Sequence, residues 1–224
     1  PVPAQQLGRV LYVSKIDSTC NGQAPCYSTI QAAIDVSTSR DTIRIQAGTY
    51  PEQLNIQKND FTSAGELDRV VIEADPASAP GAVVLTGSAG PQCTNKFAIR
   101  IRRSKFVTIR GLTITGTGAE AIFMMGGTNG NQGINIVENR IYGNGSSSCN
   151  GGITIARGNP DTIIVNNLIH SNGRNGIALI DGDSGPHYII NNTIYGNQWN
   201  GVSIVPGKDV FLVNNIINQN GTVS

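Results

Sequence analysis

VENRIYGNG (Val137–Gly145), VNNLIHSNG (Val165–Gly173), INNTIYGNQ (Ile190–Gln198) and VNNIINQNG (Val213–Gly221) are four copies of one pattern. Superposed, they place Asn139, Asn167, Asn192 and Asn215 in one column and Asn144, Asn172, Asn197 and Asn220 in a second. Ile141, Ile169, Ile194 and Ile217 form a third. The copies lie 28, 25 and 23 residues apart, a period that signals stacked repeats and is too irregular for a coiled coil. Each copy is expected to be one turn of a solenoid.

The residues around each asparagine pair alternate apolar and polar and are rich in Ile and Val, as in HYII (His187–Ile190) and GVSIV (Gly201–Val205), so they read as strands. Stacked at about 4.8 Å on consecutive parallel strands, identical asparagines donate amide to carbonyl along a ladder. Asparagine also tolerates the left-handed backbone of a sharp bend. The asparagines therefore mark corners, and the isoleucines after them point inward. One repeat alone buries too little to be stable.

With these columns the chain resembles the right-handed parallel β-helix of the pectin lyase-like superfamily over nearly its whole length. The resemblance implies an all-β solenoid with three strands per coil and an asparagine turn between the second and third. On it, His187–Ile190 is a second strand, Asn191–Asn192 the turn, Thr193–Gly196 a third strand and Gly201–Val205 the next first strand. Residues 1–224 are read as a single domain, with an N-terminal cap over about 1–40 and coils over about 41–224. Val10–Val13 reads as a strand. Tyr27–Ser37 reads as a short amphipathic helix N-capped by Ser28, with Ile30, Ala33 and Ile34 on one face. TIQAAID (Thr29–Asp35) and GTYPEQLNI (Gly48–Ile56) resemble the opening coil of pectin methylesterases and many secreted β-helix proteins, where Glu52 has a packing role. Coil two is expected over Arg69–Ala74, Gly81–Gly87 and Phe97–Ile101, and coil three from Phe106–Gly116, with Leu112 in the asparagine column.

Charged residues are 14% and aromatics 5%, with 27 glycines and a net charge of +1. Such a balance argues against a dedicated nucleic-acid binder. No apolar run approaches the ~20 residues of a membrane span. Cys20, Cys26, Cys93 and Cys149 fit no zinc spacing, so disulfides are expected, and with them an oxidising compartment: secreted, periplasmic or cell surface. Cys20–Cys26 closes a small loop. Cys93 and Cys149 follow third strands two coils apart, roughly 10 Å, beyond the ~7 Å a disulfide spans unless their long loops lean together. Pro1-Val2-Pro3-Ala4 reads as the start of a mature or trimmed chain. The final Gly221–Ser224 follows an asparagine turn without a cap, so either the chain is a piece of a longer protein or its open end associates with another copy.

In the pectin lyase-like enzymes the substrate groove lies over the outer face of the first strands, here Ala98–Arg102, Ala121–Met125, Gly152–Ala156, Gly176–Ile180 and Gly201–Val205. The outward columns are then Arg100, Phe123, Thr154, Ala178, Ser203; Arg102, Met125, Ala156, Ile180, Val205; and Arg103, Gly126, Arg157, Asp181, Pro206. Arg100, Arg102, Arg103 and Arg157 suit an acidic polysaccharide through forked hydrogen bonds to carboxylates. Trp199, the only tryptophan, is a candidate sugar platform, and Lys208 completes the substrate-binding set. Asp181, Asp183, Arg157 and His187 are the catalytic candidates. Asp181 and Asp183 also allow a calcium ion, although two aspartates fall short of its ~6–8 oxygens and no cofactor is required. Ion pairs of Asp181 with Arg157 and of Asp183 with Lys208, or plain turn chemistry at Asp-Gly-Asp, explain the same residues. Tyr142, His170 and Tyr195 share an outward column, as a sugar-stacking strip or as simple stacking, and Glu138 is expected at the turn or paired with Arg140.

The paired aspartates of pectin methylesterases and the aspartate trio of polygalacturonases are missing, and Gly185-Pro186-His187 only faintly echoes the DPHE signature of alginate epimerases. Two functions follow as expectations: an exported β-helix that binds an acidic polysaccharide over the first-strand face, with or without cleaving it; and a non-catalytic cell-surface or adhesive module.

Overall fold

The computed structural model describes residues 8–57, 65–87, 93, 95–127, 130–146, 148–180, 185–206 and 209–221. They form a right-handed parallel β-helix of about six turns, built from three sheets. Nine strands make the second-strand sheet, seven the third-strand sheet and six the first-strand sheet. All pairings between named strands are parallel, and each strand pairs with its counterparts in the coils before and after. Thus Val107–Arg110, Asn135–Val137, Thr162–Val165 and His187–Ile190 are successive second strands.

The core is a set of stacked columns inside the coil. Ile43, Ile72, Ile109, Ile136, Ile164 and Ile189 stand in one register and are all fully buried. Tyr50, Leu85, Ile114, Ile141, Ile169 and Ile194 form the equivalent column of the third-strand sheet. Each such side chain contributes roughly 1.5–3 kcal/mol of burial. In the last described coil this protection lapses: Leu212, next in the first column, is 46% exposed and Ile217, next in the second, 44%.

Both asparagine columns form ladders. The Asn139 amide donates to Asn167 Oδ1 at 3.1 Å, Asn167 to Asn192 at 3.0 Å and Asn192 to Asn215 at 3.0 Å. Each Oδ1 also accepts the backbone N–H of the preceding asparagine. The second column, Asn144 to Asn220, repeats the arrangement. The left-handed residue of the turn is the one before the ladder asparagine: Glu138, Asn166, Asn191 and Asn214 have φ of 55°, 57°, 54° and 53°. One member of each pair therefore bends the chain and the other carries the buried bridges between coils; the bending residues add exposed ones, Asn214 to Asn191 at 2.7 Å and Arg110 to Glu138 at 2.9 Å. Leu112 heads the first column, giving its N–H to Asn139 Oδ1.

At the N-terminal end, helix α1 (Ile30–Val36) buries Ile30, Ala33 and Ile34 against the first coil. Its N-cap is Thr29 rather than the expected Ser28: Thr29 is extended and its hydroxyl accepts from the N–H of Ala32. Glu52 satisfies two more orphan donors of the helix, accepting from the N–H of Ile30 and Gln31 at 3.1 Å each, where a carboxylate also meets the positive end of the helix dipole. Both expected disulfides are present. The Cys93 and Cys149 loops do lean together, with Cα atoms 5.2 Å apart, and Cys20–Cys26 spans 5.6 Å.

Candidate functional site on the first-strand face

Leu54–Ile56, Ile99–Ile101, Ile122–Met124, Ile153–Ile155, Ile177–Leu179 and Val202–Ile204 make the first-strand sheet. Its outward column Asn55, Arg100, Phe123, Thr154, Ala178, Ser203 is in register as the alternation requires. Exposure along this face is uneven. Arg100, Arg102 and Phe123 are partly exposed and Met125 is 40% exposed, whereas Thr154, Ala156 and Ala178 are buried. The face is open over coils two and three, covered at Thr154, Ala156 and Ala178 of coils four and five but open at Arg157 and partly so at Ile180, and partly open again at Ser203 and Val205. Thr154 Oγ1 lies under that cover with no hydrogen-bond partner.

The arginines divide by place. Arg9, Arg40, Arg44, Arg69 and Arg110, away from this face, are each paired with a carboxylate. Arg140 and Arg174 lie over the rings of Tyr142 and Trp199. On the first-strand face, Arg100 lies 5.1 Å over the Phe97 ring, and none of Arg100, Arg102, Arg103 and Arg157 forms an ion pair with a described residue. Arg103, at φ 50°, opens the turn out of its strand and is exposed, as is Arg157. The Arg157 carbonyl accepts from the N–H of Gly126 and of Gly127, so its turn lies against the Gly126–Gly127 turn of the preceding coil.

Asp181, Asp183 and Lys208 lie outside the described residues. His187 does not reach the groove: it opens the second strand His187–Ile190, in register with Thr162 and Val210, and is fully buried. It shares the inward parity of Ile189, which removes it as a solvent-facing acid–base partner for that face. Among the described residues, no cluster of three or more His, Cys, Asp or Glu side chains could hold a metal ion.

Trp199 lies in the turn leading to the last first strand, 41% exposed, with the Arg174 guanidinium 4.1 Å over its ring. Tyr142, His170 and Tyr195 do stack, at 5.1 and 4.9 Å with nearly parallel planes. The arrangement consumes their faces: His170 is sandwiched, and Arg140 sits 4.8 Å from the Tyr142 centroid. A sugar platform needs a free ring face, so this column is read as a structural stack. Burial first, and Arg140 second, hold the His170 pKa below its ordinary value. Glu138 pairs with Arg110 one coil earlier, at 2.9 Å, and not with Arg140.

Two further ladders escaped the sequence reading. Ser104, Asn131 and Asn159 bridge coils at the corner after the first strand, a column marked by Gly130-Asn131 and Gly158-Asn159. At the corner before the first strand, Asn200 donates to Asn175 and Asn175 to Asn150. The Glu120 carboxylate stands at the head of this file. Its pKa is raised by burial, against the lowering effect of its hydrogen bond with Asn150.

The three-sheet coil, the inward isoleucine columns and the asparagine corners define a right-handed parallel β-helix. More narrowly, the chain belongs to the family described as right handed beta helix region, whose family model matches residues 92–224. No curated protein matches the sequence. Among solved structures it is similar to pectate lyase Pel9A (15% identity, TM-score 0.63, covering 88% of this chain and 56% of that one). Similar too are rice weevil pectin methyl esterase (16%, 0.63, 97% and 67%) and pectin methylesterase PemA from Erwinia chrysanthemi (14%, 0.57, 86% and 56%). At such identities the likeness establishes the fold. The chain spans just over half the length of Pel9A and PemA.

Proposed function

We propose that the protein is an exported binder of an acidic polysaccharide, held over the open part of the first-strand face by Arg100, Arg102, Arg103 and Arg157. The observation that carries this reading is the contrast in arginine partners: of the seven arginines elsewhere five have carboxylates and two, Arg140 and Arg174, lie over aromatic rings, whereas these four have no carboxylate among the described residues. An arginine with free donors is a ready receptor for a uronate carboxylate, which it meets in a forked, charge-assisted geometry. Phe123, beside Arg100, and Met125, beyond it on the same strand, supply apolar surface for the sugar's CH face. The similar solved structures, a pectate lyase and pectin methylesterases by title, lend support to the choice of polymer. The two disulfides support export.

A non-catalytic role is the second reading, and one observation favours it. No carboxylate or histidine occurs among the described outward residues of the first strands, Asn55 to Val205, so they supply no acid–base pair for hydrolysis and no ordinary base for elimination. Affinity electrophoresis in gels containing polygalacturonate, against gels containing neutral dextran, tests binding. Retardation by polygalacturonate is expected, weakened by salt and about tenfold by Arg102→Gln/Arg103→Gln, the equivalent of about 1.4 kcal/mol. Equal mobility in both gels at low salt overturns the proposal. Ultraviolet absorbance of unsaturated uronates, followed with and without calcium, separates a lyase from a binder.

A further inference from the structure

At the corner between the second and third sheets, away from the first-strand face, lies a cleft of about 570 Å³, within the range of ligand pockets. Coil two leaves the β-helix there as the loop Asp75–Gly81, held by bonds from Ser78 N–H to the Asp75 carbonyl and from Ala77 N–H to the Asp75 carboxylate. The other wall is the asparagine corner of later coils, including Glu138, Arg140 and Leu168. Between them sits Gly111, at φ 70°. In the next coils this left-handed place carries Glu138, Asn166, Asn191 and Asn214. Only here, among the coils from three onward, is it without a side chain, and the missing side chain opens the floor.

We infer that this cleft is a binding site for a neutral pyranose sugar, as a mono- or disaccharide or the end of a longer glycan. Its charges offset: Glu138 is tied to Arg110 and Glu73 to Arg44, while Arg140, with no carboxylate partner among the described residues, faces a cleft that also contains Asp75. A charged ligand has no net field to follow into it. The paired carboxylate and guanidinium groups hold acceptors and donors in fixed relation, which suits neighbouring hydroxyls. Pro76, Ala79, Pro80 and Leu168 give the same cleft apolar walls, which suit the CH faces of a sugar ring.

Saturation-transfer NMR with lactose, cellobiose and maltose on the intact chain is the test. Transfer to at least one is expected, with a dissociation constant of about 1 mM. Gly111→Asn should abolish it. A Cβ at Gly111 meets only Ala74, its Cβ at 3.4 Å and its nitrogen at 3.9 Å, and asparagine adopts a left-handed conformation at 166, 191 and 214, so the variant folds while its amide fills the floor. Its melting temperature and its retardation by polygalacturonate should stay at wild-type values. Arg102→Gln/Arg103→Gln should do the reverse, weakening retardation and sparing saturation transfer. No transfer from any of the three sugars, or equal transfer to Gly111→Asn, overturns the inference and leaves the first-strand reading untouched.

Discussion

Replacing Asn167 by Ala tests the ladder at its most connected member. Asn167 Oδ1 accepts the Asn139 N–H at 2.9 Å and the Asn139 amide at 3.1 Å, and its own amide donates to Ile136, Val165 and Asn192. The residue is 2% exposed, so water cannot take over these bonds. Alanine orphans the buried Asn139 N–H, at about 1–3 kcal/mol, and forfeits the net value of the remaining bonds, about 1 kcal/mol more. The expected loss is therefore about 2–4 kcal/mol, read as a lower urea midpoint at unchanged slope in far-ultraviolet circular dichroism. The neighbouring Asn191→Ala acts through a different cause. Asn191 is exposed and left-handed at φ 54°, so alanine there costs about 1–2 kcal/mol of backbone strain besides the exposed bond accepted from Asn214, and glycine relieves part of the strain. Glycine at 167 rescues nothing, because the missing group is an acceptor. A loss under about 1 kcal/mol for Asn167→Ala, or rescue of position 167 by glycine, would refute the division of labour between turn and ladder asparagines.

The two disulfides should differ in worth. By the chain-entropy account, Cys93–Cys149, at a sequence separation of 56, contributes about 4 kcal/mol and Cys20–Cys26, at a separation of 6, about 2 kcal/mol; urea midpoints of the two double-serine variants check the order, and a reversed order counts against it. His170 should make stability depend on pH. Burial and Arg140 lower its folded-state pKa, so the unfolded chain takes up its proton first as pH falls through about 6.5. Its stabilising contribution is thus fully present above that pH and declines below it until the folded-state pKa is passed. His170→Phe should flatten this branch of a melting-temperature profile, and an unchanged branch would assign it to other groups.

How much was legible depended on whether a column repeated the same residue. Asn139 to Asn215 were visible because four identical amides recur at the head of similar strands. The Glu120–Asn150–Asn175–Asn200 file was hidden because its first member is a different residue type and its corners differ in length. The partner of Glu138 was misjudged within one coil because Arg110, 28 residues earlier, carries no repeat signature. His187 was a missed parity: if Ile189 points inward, so does the residue two before it. The outward columns of the first strands were readable from the same alternation. The burial of Thr154 and Ala178 was not, since the alternation marks them as outward and nothing periodic in the sequence sets them apart from Phe123.

The direction of hydrogen bonding in the ladders bears on how such a chain tolerates change in length. In the two main columns every rung gives its protons to the rung that follows and takes those of the rung before, whereas the Asn150–Asn175–Asn200 file runs the other way; within each file the interior rungs are interchangeable in what they demand of their neighbours. Excising or duplicating one entire circuit leaves each demand met, whereas removing a single residue from a strand flips its faces and puts its corner asparagines out of register. Natural variation in an architecture of this kind is therefore quantised in whole circuits, and finer edits are confined to the loops that project from the corners.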